Sequence, residues 1–147
     1  MKHRRFSGLL LSTALPLMMY GAAASGKSEV KGAVILDHPC GKVAVKQMGL
    51  THAGKTEEAN KLTTKEMQEQ WKAMPAKDRT MMSGMMKEMS QTEDQFSADI
   101  KANGVLVVDG QAATLTVKKT TKDKNGSSTS TTTQNFRLDG GQCLVTR

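Results

Sequence analysis

Residues 113–138 read ATLTVKKTTKDKNGSSTSTTTQNFRL, and this stretch decides the fold. Ala113, Leu115 and Val117 alternate with Thr114, Thr116 and Lys118, the period of a strand with one apolar face. Lys124-Asn125-Gly126 contains the Asn-Gly pair that favours a tight hairpin turn. The hydroxyl-rich run Ser127–Thr133 is low in complexity, but threonine suits exposed strand positions, so it reads as a returning strand rather than a linker. Phe136 and Leu138 then restore the apolar alternation. Downstream, Asp139-Gly140-Gly141 turns the chain into a last short strand, Cys143–Thr146. Upstream, Asp109-Gly110 is a turn pair after the short apolar run Val105–Val108. The alternation of Phe96, Ala98, Ile100 and Ala102 places another strand from about Gln95. The C-terminal half is therefore expected to be an antiparallel meander.

The preceding sequence has helical periodicity. Asp37-His38-Pro39 is a helix start, with a capping side chain followed by proline in the first turn. Cys40, Val43, Ala44, Met48 and Leu50 give that helix an apolar side to about His52, and Gly54 stops it. Thr56-Glu57-Glu58 opens a second, short helix with two carboxylates where the dipole favours them. Thr63-Thr64-Lys65-Glu66 fits a capping box for a third. Its Met67, Trp71 and Met74 share one face at i, i+4, i+7. Pro75 breaks that helix and starts a fourth, which carries Met82, Met85, Met86 and Met89 on one stripe with Met81 beside it. Residues 25–36 read as a polar lead ending in Ala33-Val34-Ile35-Leu36, and residues 37–147 as one α+β domain with no internal repeat.

The first 24 residues have a different character. Lys2, Arg4 and Arg5 precede an apolar run from Leu9 to Tyr20, and Ala22-Ala23-Ala24 follows. Basic, then apolar, then small is the order of a secretory signal peptide, with cleavage expected after Ala24. The apolar run is shorter than the roughly 20 residues needed to span a bilayer. Cleavage leaves eighteen basic against fourteen acidic residues, a net +4, and no further spanning segment. The expected address is periplasmic or secreted. Few aromatics for base stacking, together with that address, argue against nucleic acid as a partner. Export also bears on Cys40 and Cys143, since an oxidising compartment favours pairing them. Such a bridge would close a loop of about 100 residues, worth about 4–5 kcal/mol in the chain-entropy account. Two buried thiols that never meet are the alternative.

The helix-turn-helix Lys46-Gln47-Met48-Gly49-Leu50-Thr51-His52-Ala53-Gly54-Lys55-Thr56-Glu57-Glu58-Ala59 and the ending Asn135–Thr146 carry a resemblance to the nuclear transport factor 2-like (cystatin-like cone) superfamily. Within it, the chain is similar to small exported bacterial proteins of unknown function related to the lumazine-binding-like group. The resemblance implies helices packed on a curved antiparallel sheet, cone-like, with a pocket at the open end. It implies no particular activity, since such a fold hosts enzymes, transport factors and binding modules. A tryptophan usually precedes the last apolar strand residues in those proteins, and Cys143 stands there here. A first helix lying against the sheet would bring Cys40 near that strand. A homodimer through the sheet is a further expectation of the resemblance.

Several residues could carry chemistry. The segment Met81–Met89 presents soft thioethers, which select Cu(I) or Ag(I) without deprotonation. Met82, Met85, Met86 and Met89 are the candidate metal ligands. The same spacing is what a core face or a pocket wall requires, and methionine fills irregular space well. His38 and His52 sit at opposite ends of the first helix, about 21 Å apart, too far to share a metal. No catalytic residue is assigned: cone-fold enzymes pair a carboxylate with tyrosine or histidine, and the only tyrosine, Tyr20, leaves with the signal. Asp99 falls on the outer face of its expected strand. Lys118, Lys119, Lys122 and Lys124 read as an edge protected by charge, with docking of an anionic partner as the alternative. The leading expectation is a non-catalytic binding module without cofactor. Its pocket is lined by Met67, Trp71, Met74, Met82, Met85 and Met86, and its partner is a small apolar ligand, a peptide or a protein. Soft-metal binding and a small-molecule enzyme are the alternatives.

Overall fold

Five antiparallel strands form an open sheet in sequence order: β1 (Ser28–Lys31), β2 (Gly104–Asp109), β3 (Ala112–Asp123), β4 (Gly126–Asp139) and β5 (Gln142–Thr146). The computed structural model describes residues 26–147, so the signal-peptide reading lies outside the described residues. Between β1 and β2 come a 3-10 helix (Gly32–Asp37) and five α-helices: α1 (Pro39–His52), α2 (Thr56–Asn60), α3 (Lys65–Ala73), α4 (Ala76–Met89) and α5 (Glu93–Asn103). The expected α+β architecture, helices packed against an antiparallel sheet, is the one observed.

Alternation along the strands builds one apolar face. Leu106, Ala113, Leu115, Val117, Phe136, Cys143 and Val145 are buried on it, and Cys40, Ala44, Phe96 and Ile100 from α1 and α5 fill the other side of the core. Register aligns these residues: Leu106 is opposite Leu115, Ala113 opposite Phe136, and Phe136 opposite Val145. The hairpin turns at Lys124-Asn125, one residue before the Asn-Gly pair, because Gly126 already belongs to β4 opposite Asp123, and the hydroxyl-rich run is strand as expected. β3 outruns β2 beyond Val117, and β4 outruns β5 before Asn135. The far end of this hairpin is therefore an exposed two-stranded arm that carries the four lysines.

Three local expectations are corrected. Residues 95–102 are helix, not strand: α5 begins at a capping box in which Thr92 Oγ1 accepts from the Gln95 amide while the Gln95 side chain accepts from the Thr92 amide. Phe96 and Ile100 are buried, whereas Ala98 and Ala102 are exposed. The apolar signal was therefore an i, i+4 pair, which alanines had padded into an alternation. Asp99 consequently lies on this helix, not on an outer strand face, where it accepts from Gln91 Nε2 at 2.9 Å and pairs with Lys119 at 3.2 Å. The capping box at Thr63 does not form: α3 starts after Thr64, and the Thr63 hydroxyl donates back to the Asn60 carbonyl at 2.6 Å. Finally, the polar lead is structured. β1 pairs with β2, and Ile35 is wholly buried, with Gly41 providing the close approach, since a Cβ there would lie 1.8 Å from the Ile35 carbonyl oxygen.

Cys40 and Cys143 form a disulfide that joins the start of α1 to β5. Their Cα atoms are 5.0 Å apart across 103 residues of sequence. Both residues are buried, and the bond is consistent with an oxidising, extracytoplasmic compartment. Replacing both by serine is expected to lower stability by about 3–5 kcal/mol, mainly by freeing the unfolded chain. Denaturant melts of wild type and the double variant measure this directly.

α1 is capped by His38, whose Nδ1 accepts from the Cys40 amide at 3.1 Å. Burial holds the imidazole below its ordinary pKa, favouring the neutral ring that can accept. With the folded value below the unfolded one, the cap contributes above about pH 6.5 and is lost as pH falls through that value toward the folded pKa. The contribution at stake is about 1 kcal/mol, the size of a typical N-cap. His38→Asn keeps an acceptor that does not titrate. Thermal melts between pH 7.5 and pH 5 are therefore expected to show a smaller acid-induced loss for the variant than for wild type.

Candidate functional site

A half-open cavity of about 380 Å³ lies where α1 to α4 meet the end of the sheet. The segment joining α2 to α3 sets its floor. Val145 of β5 donates its amide to the Leu62 carbonyl at 2.9 Å and accepts from the Thr64 amide at 2.9 Å, so Leu62–Thr64 runs along the β5 edge as one short parallel bridge. That contact fixes α2 and α3 beside the sheet. α4 then closes the opposite wall.

The lining is dominated by thioethers. Met48 comes from α1, Met67 and Trp71 from α3, Met74 from the end of α3, and Met82, Met86 and Met89 from α4. Five of the six residues expected from sequence, Met67, Trp71, Met74, Met82 and Met86, are thus brought together. Met85 is not among them: it is 55% exposed and points away. At 100° per residue, Met82, Met86 and Met89 fall within about 60° of one another, while Met85 lies about 60° from Met82 on the side of Met81. Met81 is likewise exposed. Of the candidate metal ligands, Met82, Met86 and Met89 share the cavity and Met85 does not.

Trp71 is held by a polar triad behind the wall. Its indole Nε1 donates to Glu57 Oε1 at 2.9 Å, and the same oxygen lies 3.7 Å from Arg79 Nη1. Glu57 on α2 thereby ties α3 and α4 to one point. This contact fixes the ring plane, leaving only 8% of the residue exposed. None of the fourteen residues of α4 is buried.

Residues that sequence reading missed supply the polar part of the lining. Gln134 on β4 donates from Nε2 to Gln47 Oε1 on α1, 87 positions away. The Thr56 hydroxyl and Gln134 Oε1 are buried without a hydrogen-bond partner. Thr51, Asn60, Thr63, Gln70, Ser90 and Arg147 complete the polar part of the lining. No sequence signal marked Thr56 or Gln134, because a threonine at a helix start and a glutamine in a strand are common anywhere. Met48 was legible as part of the apolar side of α1, though not as a cavity residue.

The chemistry this arrangement offers is narrow. The lining contains no Asp, Glu, His, Cys or Tyr side chain, and its only charged residue is Arg147. His38 and His52 occupy the two ends of α1, as expected, and neither lines the cavity. His52 donates from Nδ1 to the Ser90 carbonyl at 3.1 Å, so it clips α1 to the end of α4 instead of serving its own helix's carbonyls. Among the described residues, no group of three or more His, Cys, Asp or Glu side chains could hold a metal ion. Also among the described residues, no helix is long and apolar enough to cross a membrane. No protein-family model, no curated protein and no solved structure matches this chain.

Proposed function

We propose that the protein is an exported, non-catalytic binding module whose methionine- and tryptophan-lined cavity takes a small apolar ligand or an apolar side chain of a peptide. The observation that carries this reading is the cavity itself. Its volume of about 380 Å³ falls at the lower end of the range for small-molecule sites. Thioether walls conform to differently shaped apolar guests, as flexible unbranched side chains do. Absence of carboxylate, imidazole and thiol from the lining leaves no group placed for general acid–base or nucleophilic work on a guest. The unpartnered Thr56 hydroxyl and Gln134 carbonyl favour a guest with a hydrogen-bonding group, since a buried orphan costs about 1–3 kcal/mol. The basic-apolar-small order of residues 1–24 and the disulfide together support a periplasmic or secreted address.

A second reading has one specific observation in its favour. Met67, Met74, Met82, Met86 and Met89 all meet in one cavity, and clustered thioethers are the ligand type chosen by Cu(I) and Ag(I).

Titration with N-phenyl-1-naphthylamine, read by its own emission and by quenching of Trp71, the chain's single tryptophan, tests the first reading. We expect saturable binding that Met86→Asp weakens at least tenfold, because an unpaired carboxylate would enter an apolar wall. Met85→Asp, on the outward side of the same helix, is expected to leave the affinity unchanged. Equal loss in both variants, or no binding by wild type, overturns the cavity as the site. Ag(I) titration of the same protein separates the second reading: stoichiometric binding abolished by replacing Met82, Met86 and Met89 with leucine is its expected signature.

A further inference from the structure

We infer that Met82 and Met89 are sites of oxidation to the sulfoxide by peroxide-class oxidants, and that their oxidation closes the cavity to apolar guests. This inference rests on the reading of the cavity as a binding site. It follows from a coincidence of two properties. Among the described residues, the large exposed apolar side chains include Met81, Met82, Met85 and Met89, all on α4. Of these four, only Met82 and Met89 also line the cavity. They are 37% and 82% exposed, so an oxidant in solvent reaches them without any opening of the fold. The remaining cavity methionines are more covered, each only partly exposed.

Targets for such an oxidant other than methionine are withdrawn. Cys40 and Cys143 are already joined, and no free cysteine is present among the described residues. Trp71 is buried with its indole nitrogen bonded to Glu57. Thioethers react without deprotonation, so susceptibility follows exposure rather than local pKa. With hydrogen peroxide, a sulfur lone pair attacks one peroxide oxygen. The S–O bond forms as the O–O bond breaks, and the departing hydroxide takes up the second peroxide proton to leave as water. Sulfur is oxidised by two electrons and the peroxide is reduced.

The product changes the wall more than its size suggests. A sulfoxide is polar and accepts hydrogen bonds strongly, so an apolar surface becomes one that prefers water. Met82 and Met89 are seven positions apart, on the cavity side of one helix, and bracket Met86 between them. Oxidation at both turns most of the α4 wall polar. Because α4 buries no residue, the core does not have to unfold to accommodate the change.

Two double variants isolate the effect. Met81→Leu/Met85→Leu removes the exposed methionines that do not line the cavity. Met82→Leu/Met89→Leu removes the two that do. Each protein and wild type is treated with graded hydrogen peroxide, mapped by peptide mass spectrometry and titrated with N-phenyl-1-naphthylamine, with far-ultraviolet circular dichroism following the fold. In wild type and in Met81→Leu/Met85→Leu, we expect Met82 and Met89 to gain oxygen before Met48, Met67 and Met74. Probe affinity should fall at least tenfold in step, with helix content retained. Met82→Leu/Met89→Leu should keep its affinity through the same treatment. Unchanged affinity in wild type oxidised at both positions overturns the inference while leaving the binding reading intact. So does earlier oxidation of the inner methionines. Failure of the untreated wild type to bind the probe overturns the binding reading and this inference with it.

Discussion

The structure depends on the docking of α1 against the inner face of the sheet, fastened where Cys40 meets Cys143. α1 begins beside β5, the last strand, so the bond ties α1 to β5 and, among the described elements, leaves only β1 and the 3-10 helix outside the loop it closes. Everything between α1 and β5 is packed within that closed loop. Gly41 lets the helix start sit directly on Ile35, and Ala44 keeps the next turn close. A small residue next to a covalent tie permits close approach, and the tie reduces the freedom of the unfolded chain. Together they compensate for a core with few large aromatic side chains, in which Phe96 and Phe136 are the largest wholly buried residues.

That docking divides the space beneath the helices in two. At one end, α5 lays Phe96 and Ile100 onto Leu106 and Leu115, and the interior is closed. At the other, α2 and α3 are hung from the β5 edge by the Leu62 and Thr64 backbone bonds, and α4 is held chiefly through Glu57, Arg79 and His52. Branched aliphatic side chains fill the closed end, while unbranched thioethers line the open one. This partition follows from the chemistry of the side chains. Branched residues have few rotamers and pack to high density, whereas methionine tolerates an interface whose far wall is loosely attached.

Much of the scaffold was legible from residues 104–146. The hydroxyl-rich strand and the Gly-Gly turn before β5 each carry a local backbone preference that tertiary contacts did not override, whereas the β3–β4 turn falls one residue before the Asn-Gly pair. The helix α5 was not legible in the same way. Phe96 and Ile100 satisfy both a two-residue and a four-residue repeat, and the deciding signal was Thr92 with Gln95, a capping pair just upstream. The cavity was legible in part. Helical spacing identified the methionines that share a face, but a stripe of four spans more of the helix than one wall can use, and Met85 fell outside it.

By itself, the sequence determined that residues 113–138 hold the two strands of one hairpin, that residues 143–146 form a further strand, and that Met67, Trp71 and Met74 face one way. These follow from period, propensity and turn chemistry within a few residues. Only the tertiary structure decided that Cys40 and Cys143 meet, that Gln47 reaches Gln134, and that Thr56 is buried without a partner. Each of these joins positions far apart in the chain, or depends on what a distant element covers. Such placements depend on how helices seat on a sheet, and no short-range pattern encodes that. The same reason explains why Met82, Met86 and Met89 line a cavity while Met81 and Met85 do not. About two and a half turns of α4 supply both groups, and the position of the neighbouring elements separates them.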